Sequence, residues 1–225
     1  MSFLSYAWNW MKQPAQWHGP GGIPSRILEQ LGYTALALLV AALIAITLGI
    51  LIGHTGRGGL VVVNVANAWR AIPTLALLVL LTVWLGFNVL AWLVPLVVLG
   101  VPPILVNVYE GVAGVDAELK DAARGMGMTP WQQVRKVEVP VAMPLIVLGL
   151  RTGAIFVVAT ATIAAYIGLG GLGRYIIDGL AVQNYGEVAG GAFFVVLLAL
   201  AVQALFVGVR RIAVPEGLRL QGRSS

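Results

Sequence analysis

Residues 30–56 contain no Asp, Glu, Lys or Arg, and inside them "LGYTALALLVAALIAITLGILIG" is almost wholly apolar. A helix that crosses about 30 Å of hydrocarbon needs roughly 20 apolar residues, so this run reads as a first membrane span. A second uncharged run, 58–69, is interrupted by Arg70 and followed by an uncharged stretch, 71–109, that is too long for one helix. "GFN" at 86–88 is the natural turn within it. The spacing predicts a second span over 60–85, bent near Pro73, and a third over 89–109. The fourth is expected over 141–167 and the fifth over 188–209. The fold class is therefore all-α integral membrane with five transmembrane helices, or six if 58–69 forms a separate element.

Composition agrees, with 59% hydrophobic and 10% charged residues and a mean hydropathy of +0.91, far from the values of soluble domains. With 225 residues the chain reads as one domain, with no room for a catalytic module beside the spans. It has no cysteine, which excludes disulfides, thiolate metal sites and a Cys nucleophile. The pI near 9.9 reflects topology. Arg57, Lys120, Arg124, Arg135, Lys136, Arg210, Arg211, Arg219 and Arg223 fall on one side of the predicted membrane and only Lys12, Arg26 and Arg174 on the other. The positive-inside rule then places the N-terminus outside and the C-terminus in the cytoplasm. Residues 1–29 form an outer-face segment and 213–225 a cytoplasmic tail. "SFLSYAWNWMKQPAQWHGPGGIP" lacks the continuous apolar core and cleavage site of a signal peptide. Its Trp8, Trp10 and Trp17 suit either the outer headgroup level or an irregular tail.

Between the third and fourth spans lies "DAARGMGMTPWQQVRKVEVP", residues 121–140, a compact polar interruption. Asp116 is positioned to cap "AELKDAAR", with Glu118 in the positive first turn, Arg124 in the negative last turn and Gly125 as the stop. Gly127 extends the joint. Thr129 and Gln132 have capping-box spacing, with Pro130 at the first helical position and Pro140 at the far end. The segment 116–138 holds four acids and four bases, whereas a DNA-reading helix-turn-helix is expected to be basic. A solvated connecting loop is the plainer alternative.

This segment resembles the EAA loop of permease subunits in binding-protein-dependent ABC importers, whose pattern is E-A-A, three residues, G, nine residues, then I-x-L-P. Here Asp121, Ala122 and Ala123 are followed by Gly127 and, after nine intervening residues, by Val137, Val139 and Pro140. The departures are Asp for Glu and Val for Ile and Leu. The resemblance covers residues 30–212, with a coupling loop over 111–139. "NAWRAIPTLALL", "GVDAELKDAARGMGMTPWQQVRKVEVP" and "TATIAAYIGLGGLGRYI" are similar to permeases of osmoprotectant importers for glycine betaine, carnitine or choline, and less closely to those of methionine importers.

The resemblance implies a methionine-importer-like permease fold in a bacterial inner membrane. It implies that Asp121, Ala122, Ala123, Gly125, Gly127, Met128, Thr129, Pro130 and Pro140 couple the chain to a cytoplasmic ABC ATPase dimer. The further implied partners are a second permease subunit, identical or related, and a separate extracytoplasmic substrate-binding protein. No cofactor is expected on this chain; ATP and Mg belong on the ATPase. Nucleic acid is not an expected partner.

The residues themselves are consistent with that division of labour. There is no G-x-x-x-x-G-K-[ST] loop, and all nine acids fall in expected loops or helix ends, leaving no intramembrane carboxylate for ion coupling. "GLGGLG" at 168–173 formally matches a dinucleotide fingerprint, but no strand precedes it; it reads as a flexible outer turn into "RYIIDGLAVQNYGE", a segment that either meets the binding protein or is a simple exposed loop. A small membrane enzyme and a passive channel are the competing classes, and no nucleophile-base pair favours the former. Candidate pathway or interface positions are Arg70, Pro73, Arg151, Gly149, Gly153, Thr160 and Thr162. Gly149 and Gly153 have the spacing that lets helix backbones approach. Arg70 would lie roughly 20 Å along a continuous helix from Arg57, facing the pathway or interface, or snorkelling if its helix starts later. Arg151 poses the same choice. His18 and His54 read as surface loop residues without ligand partners.

Overall fold

The computed structural model of the chain describes residues 3–69 and 71–213. Among these every regular element is helical: α1 (Phe3–Met11), α2 (Ile23–Thr55), α3 (Gly59–Trp69), α4 (Thr74–Leu85), α5 (Val89–Ala113), α6 (Ala117–Gly125), α7 (Pro130–Gln133), α8 (Val139–Ile163), α9 (Gly173–Ala181) and α10 (Tyr185–Ala213). Four helices are long and apolar enough to cross a membrane: Ile23–Thr55, Val89–Ala113, Pro130–Ile167 and Tyr185–Ala213. The expected second span is two shorter helices, α3 and α4, instead of one bent helix. Pro73 is the N-cap of α4, with φ −66° and ψ 115°. Its missing N–H and its restriction on the preceding residue end helical geometry there. Arg70 lies outside the described residues.

Pro140 was expected to end the second elbow helix, and it does not. α7 runs through a π-helical segment, Val134–Glu138, into α8, so that Pro130–Ile167 is one helical stretch of 38 residues. A proline ring clashes with the carbonyl four residues earlier and supplies no N–H. Widening the preceding turn to i→i+5 bonding, as in Val139 N–H donating to the Val134 carbonyl, relieves both conflicts and lets the helix continue.

Helix contacts divide the chain into two compact units, where composition alone suggested one domain. The first takes the described residues of 1–39, 72–99 and 154–203. Its core joins Trp10, Ile23, Leu172, Tyr175, Phe194 and Leu198. Trp10 meets Tyr175 edge-on at 5.0 Å and lies over Gly190, where no Cβ intervenes. The N-terminal segment is thus folded into the protein, with Trp10 in the core while Trp8 and Trp17 stay exposed. Burial pushes the Tyr175 phenol up to about 12, so it remains a donor, and it donates to the Gly21 carbonyl at 2.6 Å.

The second unit takes the described residues of 40–71, 100–153 and 204–225. Here α2, α5 and α8 meet at glycines. A Cβ on Gly53 would sit 2.7 Å from Val112 Cβ, and one on Gly111 would sit 3.1 Å from Ala142 Cβ. Gly149 faces Ile104 and Asn107 of α5, and Gly153 faces Ile104 and Gly100. Lipid provides no hydrophobic drive for helix association, so close backbone approach supplies the dispersion contacts that hold helices together. Gly149 and Gly153 are accordingly occupied by packing inside the chain. Gly149→Val is expected to destabilise the protein by about 1–3 kcal/mol through overpacking. Gly208→Ala, at an open helical position on α10, is expected to stabilise by about 0.5–1 kcal/mol. Thermal unfolding of the detergent-solubilised protein measures both.

Candidate functional site

The polar interruption folds as an elbow built from α6 and α7. Asp116 caps α6, its carboxylate accepting from the Glu118 N–H at 3.0 Å. The expected stop at Gly125 is displaced: Gly125 is the last residue of α6, and the chain turns at Gly127, where φ is +75°. The Met128 N–H donates to the Ala123 carbonyl at 3.1 Å, the six-to-one closure of a Schellman motif in which the glycine is left-handed. α7 then starts with both halves of the capping box, Thr129 N–H to Gln132 Oε1 at 2.9 Å and Gln132 N–H to Thr129 Oγ1 at 3.4 Å. Pro130 holds the first turn.

Two side chains fix this elbow to its surroundings. Lys120 Nζ donates to the Val112 carbonyl at 3.1 Å, capping the negative end of α5. Gln133, buried on α7, donates to the Lys120 carbonyl at 3.0 Å and joins the two arms. Within the D-A-A triplet only Ala123 is buried. Asp121 is exposed and pairs with Arg124 on its own helix at 3.1 Å, an arrangement worth little to stability in water.

Three exposed residues escaped the sequence reading: Leu119 (48% exposed), Met126 (70%) and Trp131 (70%). They are large apolar side chains on an otherwise charged elbow. Trp131 and Met126 stand within residues 121–140, and their signal in the sequence is an aromatic and a thioether in a segment too polar for lipid. Exposed apolar groups rimmed by charge mark a surface suited to contact with another protein or a membrane.

The other candidate residues are placed elsewhere. Arg151 is half-buried and lines a cavity of about 180 Å³ with Pro144, Leu148, Phe206 and Arg210. Thr160 Oγ1 donates to the Phe156 carbonyl at 2.8 Å, and Thr162 Oγ1 to the Val158 carbonyl at 2.9 Å. Thr162 also accepts from Gln30 Nε2 at 3.2 Å. The glycine-rich turn is tied down, in place of the flexible turn expected: the Gly171 N–H donates to Glu29 Oε2 at 2.7 Å, and Gly173 abuts the Thr162 carbonyl. Glu29 therefore lies inside α2, and Glu138 is buried within a continuous helical stretch, so neither is in a loop or at a helix end. His54, expected on a surface loop, lies in α2 and contacts Glu138. Among the described residues no three His, Asp or Glu side chains group to hold a metal ion.

A set of apolar helices long enough to cross a membrane, with a capped polar elbow that exposes Leu119, Met126 and Trp131, defines an integral-membrane protein. The chain belongs to the family of binding-protein-dependent transport system inner membrane components, which matches residues 45–216. It is 35% identical over 191 residues to the glycine betaine/carnitine/choline transport system permease protein OpuCB of Bacillus subtilis, covering 85% of this chain and 88% of that one. The choline transport system permease protein OpuBB of the same organism is 34% identical, over 88% and 92% of the two chains. The carnitine transport permease protein OpuCB of Listeria monocytogenes is 36% identical, over 81% and 84%. Among solved structures, the inward-facing MetNI methionine ABC transporter superimposes with a TM-score of 0.76 at 26% identity, covering 91% of this chain and all of that one. The protein is thus the permease component of an ABC importer, a transport subunit whose ATPase is a separate chain.

The two elbow glycines have opposite requirements. Gly127→Ala is expected to cost about 1–2 kcal/mol, because a Cβ strains the left-handed region. Gly125→Ala, helical and with open space around it, is expected to stabilise by about 0.5–1 kcal/mol. Thermal unfolding of the purified permease separates the two.

Proposed function

We propose that this chain forms the translocation pathway of an ATP-driven importer for quaternary-amine osmoprotectants such as glycine betaine, carnitine or choline. The substrate class rests on relatives at 34–36% identity that carry those names. The structural observation behind the coupling role is the elbow: capped at both arms, braced by Lys120 and Gln133, and presenting Leu119, Met126 and Trp131 to a partner. In this reading Asp121, Ala122, Ala123, Gly125, Gly127, Met128, Thr129, Pro130 and Pro140 belong to the segment that docks on the ATPase. ATP binding and hydrolysis displace the elbow, and because it is stiff the displacement passes into α5 and α8 and alternates access to the pathway.

The assembly has two permease subunits, an ATPase dimer carrying ATP and Mg, and a separate substrate-binding protein on the outer face. α3 and α4 together make one crossing, giving five crossings with the four long helices. The N-terminus is outside, and the elbow and C-terminus lie in the cytoplasm of a bacterial cell. Methionine is the second substrate reading, favoured by the structural likeness to a methionine transporter.

Two measurements test this. Reconstituted with its ATPase and binding protein, the chain is expected to drive ATP-dependent uptake of quaternary amines; uptake of methionine alone would overturn the substrate assignment. Trp131→Cys in this cysteine-free chain is expected to resist an impermeant maleimide added outside intact cells. It should react in inverted vesicles and be shielded there by added ATPase. Val182→Cys, exposed at the end of α9, is expected to react from outside.

A further inference from the structure

The helical stretch that leaves the elbow turns one row of side chains inward at four-residue spacing: Val134, Glu138, Ala142 and Ile146, all buried. Three are apolar. The fourth is a carboxylate only 1% exposed, and it ends the π-helical segment. Opposite it stands His54, in the last turn of α2 and 84 residues away in sequence. His54 Nδ1 lies 2.9 Å from one carboxylate oxygen and 3.0 Å from the other. With the ring in its Nδ1–H form, a single N–H is shared between both carboxylate oxygens.

Stability is a poor explanation for such a pair. Removing a carboxylate from water costs roughly what its partner returns, and apolar side chains of similar volume would pack there as well. What the pair supplies is direction. Elsewhere in this unit α2 meets α5 at Gly53 against Val112, and α8 meets α5 at Gly111 against Ala142. Smooth apolar contacts of this kind permit the small sliding of packed helices seen in shear motions. A hydrogen bond from one ring nitrogen to both oxygens of a buried carboxyl group does not slide, because displacement leaves that group without its partner. The placement is also specific: Glu138 lies at the end of the elbow's second arm, five residues beyond the Gln133 that braces that arm to Lys120.

We propose that the His54–Glu138 bond locks the end of α2 to the elbow, so that the first long helix moves with the coupling segment during the ATP cycle. His54 and Glu138 are positioning residues for coupling and touch neither ATPase nor substrate. The proposal rests on the coupling role given to the elbow above.

The test is the number of ATP molecules hydrolysed per substrate imported, measured on the complete importer in proteoliposomes. If the wild-type complex imports no quaternary amine, the functional reading itself has failed; the proposal is judged on a complex that transports. His54→Leu alone is expected to reduce the amount of assembled complex, since Glu138 is left buried and unpaired. The double variant His54→Leu/Glu138→Leu removes the bond without stranding a charge. It is expected to assemble and hydrolyse ATP, with uptake per ATP about tenfold lower, within the range of ordinary coupling energies. His54→Asn, whose side-chain amide N–H occupies the Nδ1 position, is expected to restore the wild-type ratio. A double variant with a wild-type ratio would falsify the proposal. Should the double variant not assemble, His54→Asn and His54→Gln decide: both keep a donor, only the former puts it at the Nδ1 position, and equal coupling in the two overturns the proposal.

Discussion

Close backbone approach at glycine is the contact on which the rest of this structure depends. In one unit α5 is met by α2 at Gly49 and Gly53 and by α8 at Gly149 and Gly153, each where a Cβ would collide with its neighbour. In the other, Trp10 and Tyr175 lie on Gly190 and Gly191 of α10. Apolar side chains gain nothing from association in lipid that they lack when exposed to acyl chains, so cohesion comes from dispersion at short range and from satisfied polar groups. The glycines supply the first. The Gln30 side-chain nitrogen, donating to the Val158 carbonyl and to Thr162 Oγ1, supplies an example of the second.

The elbow uses the opposite chemistry because it lies between spans, where water competes for every hydrogen bond. Its rigidity comes from caps and from two braces to backbone carbonyls, and its paired surface charges contribute little. That combination leaves Leu119, Met126 and Trp131 exposed at no structural advantage to the isolated chain. In the proposed reading, the caps and braces together with the exposed apolar face let another protein's ATP cycle move this subunit. The π-helical turn before Pro140 is part of the same design: by letting the helix continue past a proline, it makes the elbow's second arm and the long helix α8 a single lever.

Local chemistry explains which features were legible in advance. Asp116, Thr129, Gln132 and Pro130 sit where capping rules place them, because a cap involves residues three or fewer apart and needs no tertiary partner. The turn lies two residues beyond Gly125, because both glycines are permissive and only the folded backbone, with its left-handed φ at Gly127 and the closing hydrogen bond from Met128, distinguishes them. Pro140 misled for a related reason: a proline normally ends a helix, and nothing in the local pattern announces a π turn. His54 and Glu138 were unreadable as a pair, since 84 residues separate them.

The sequence by itself determined that this chain is an all-helical membrane protein, where its polar elbow lies and which family it belongs to, because uncharged runs, caps and motif spacing are local or linear properties. Only the tertiary structure decided that the second predicted span is two helices, that Gly149 and Gly153 pack on α5, that the glycine-rich turn is held by Glu29, and that Glu138 faces His54. These depend on which helix faces meet. In lipid the hydrophobic pattern no longer separates an inner from an outer face, so a membrane helix carries little in its linear pattern to name its neighbour.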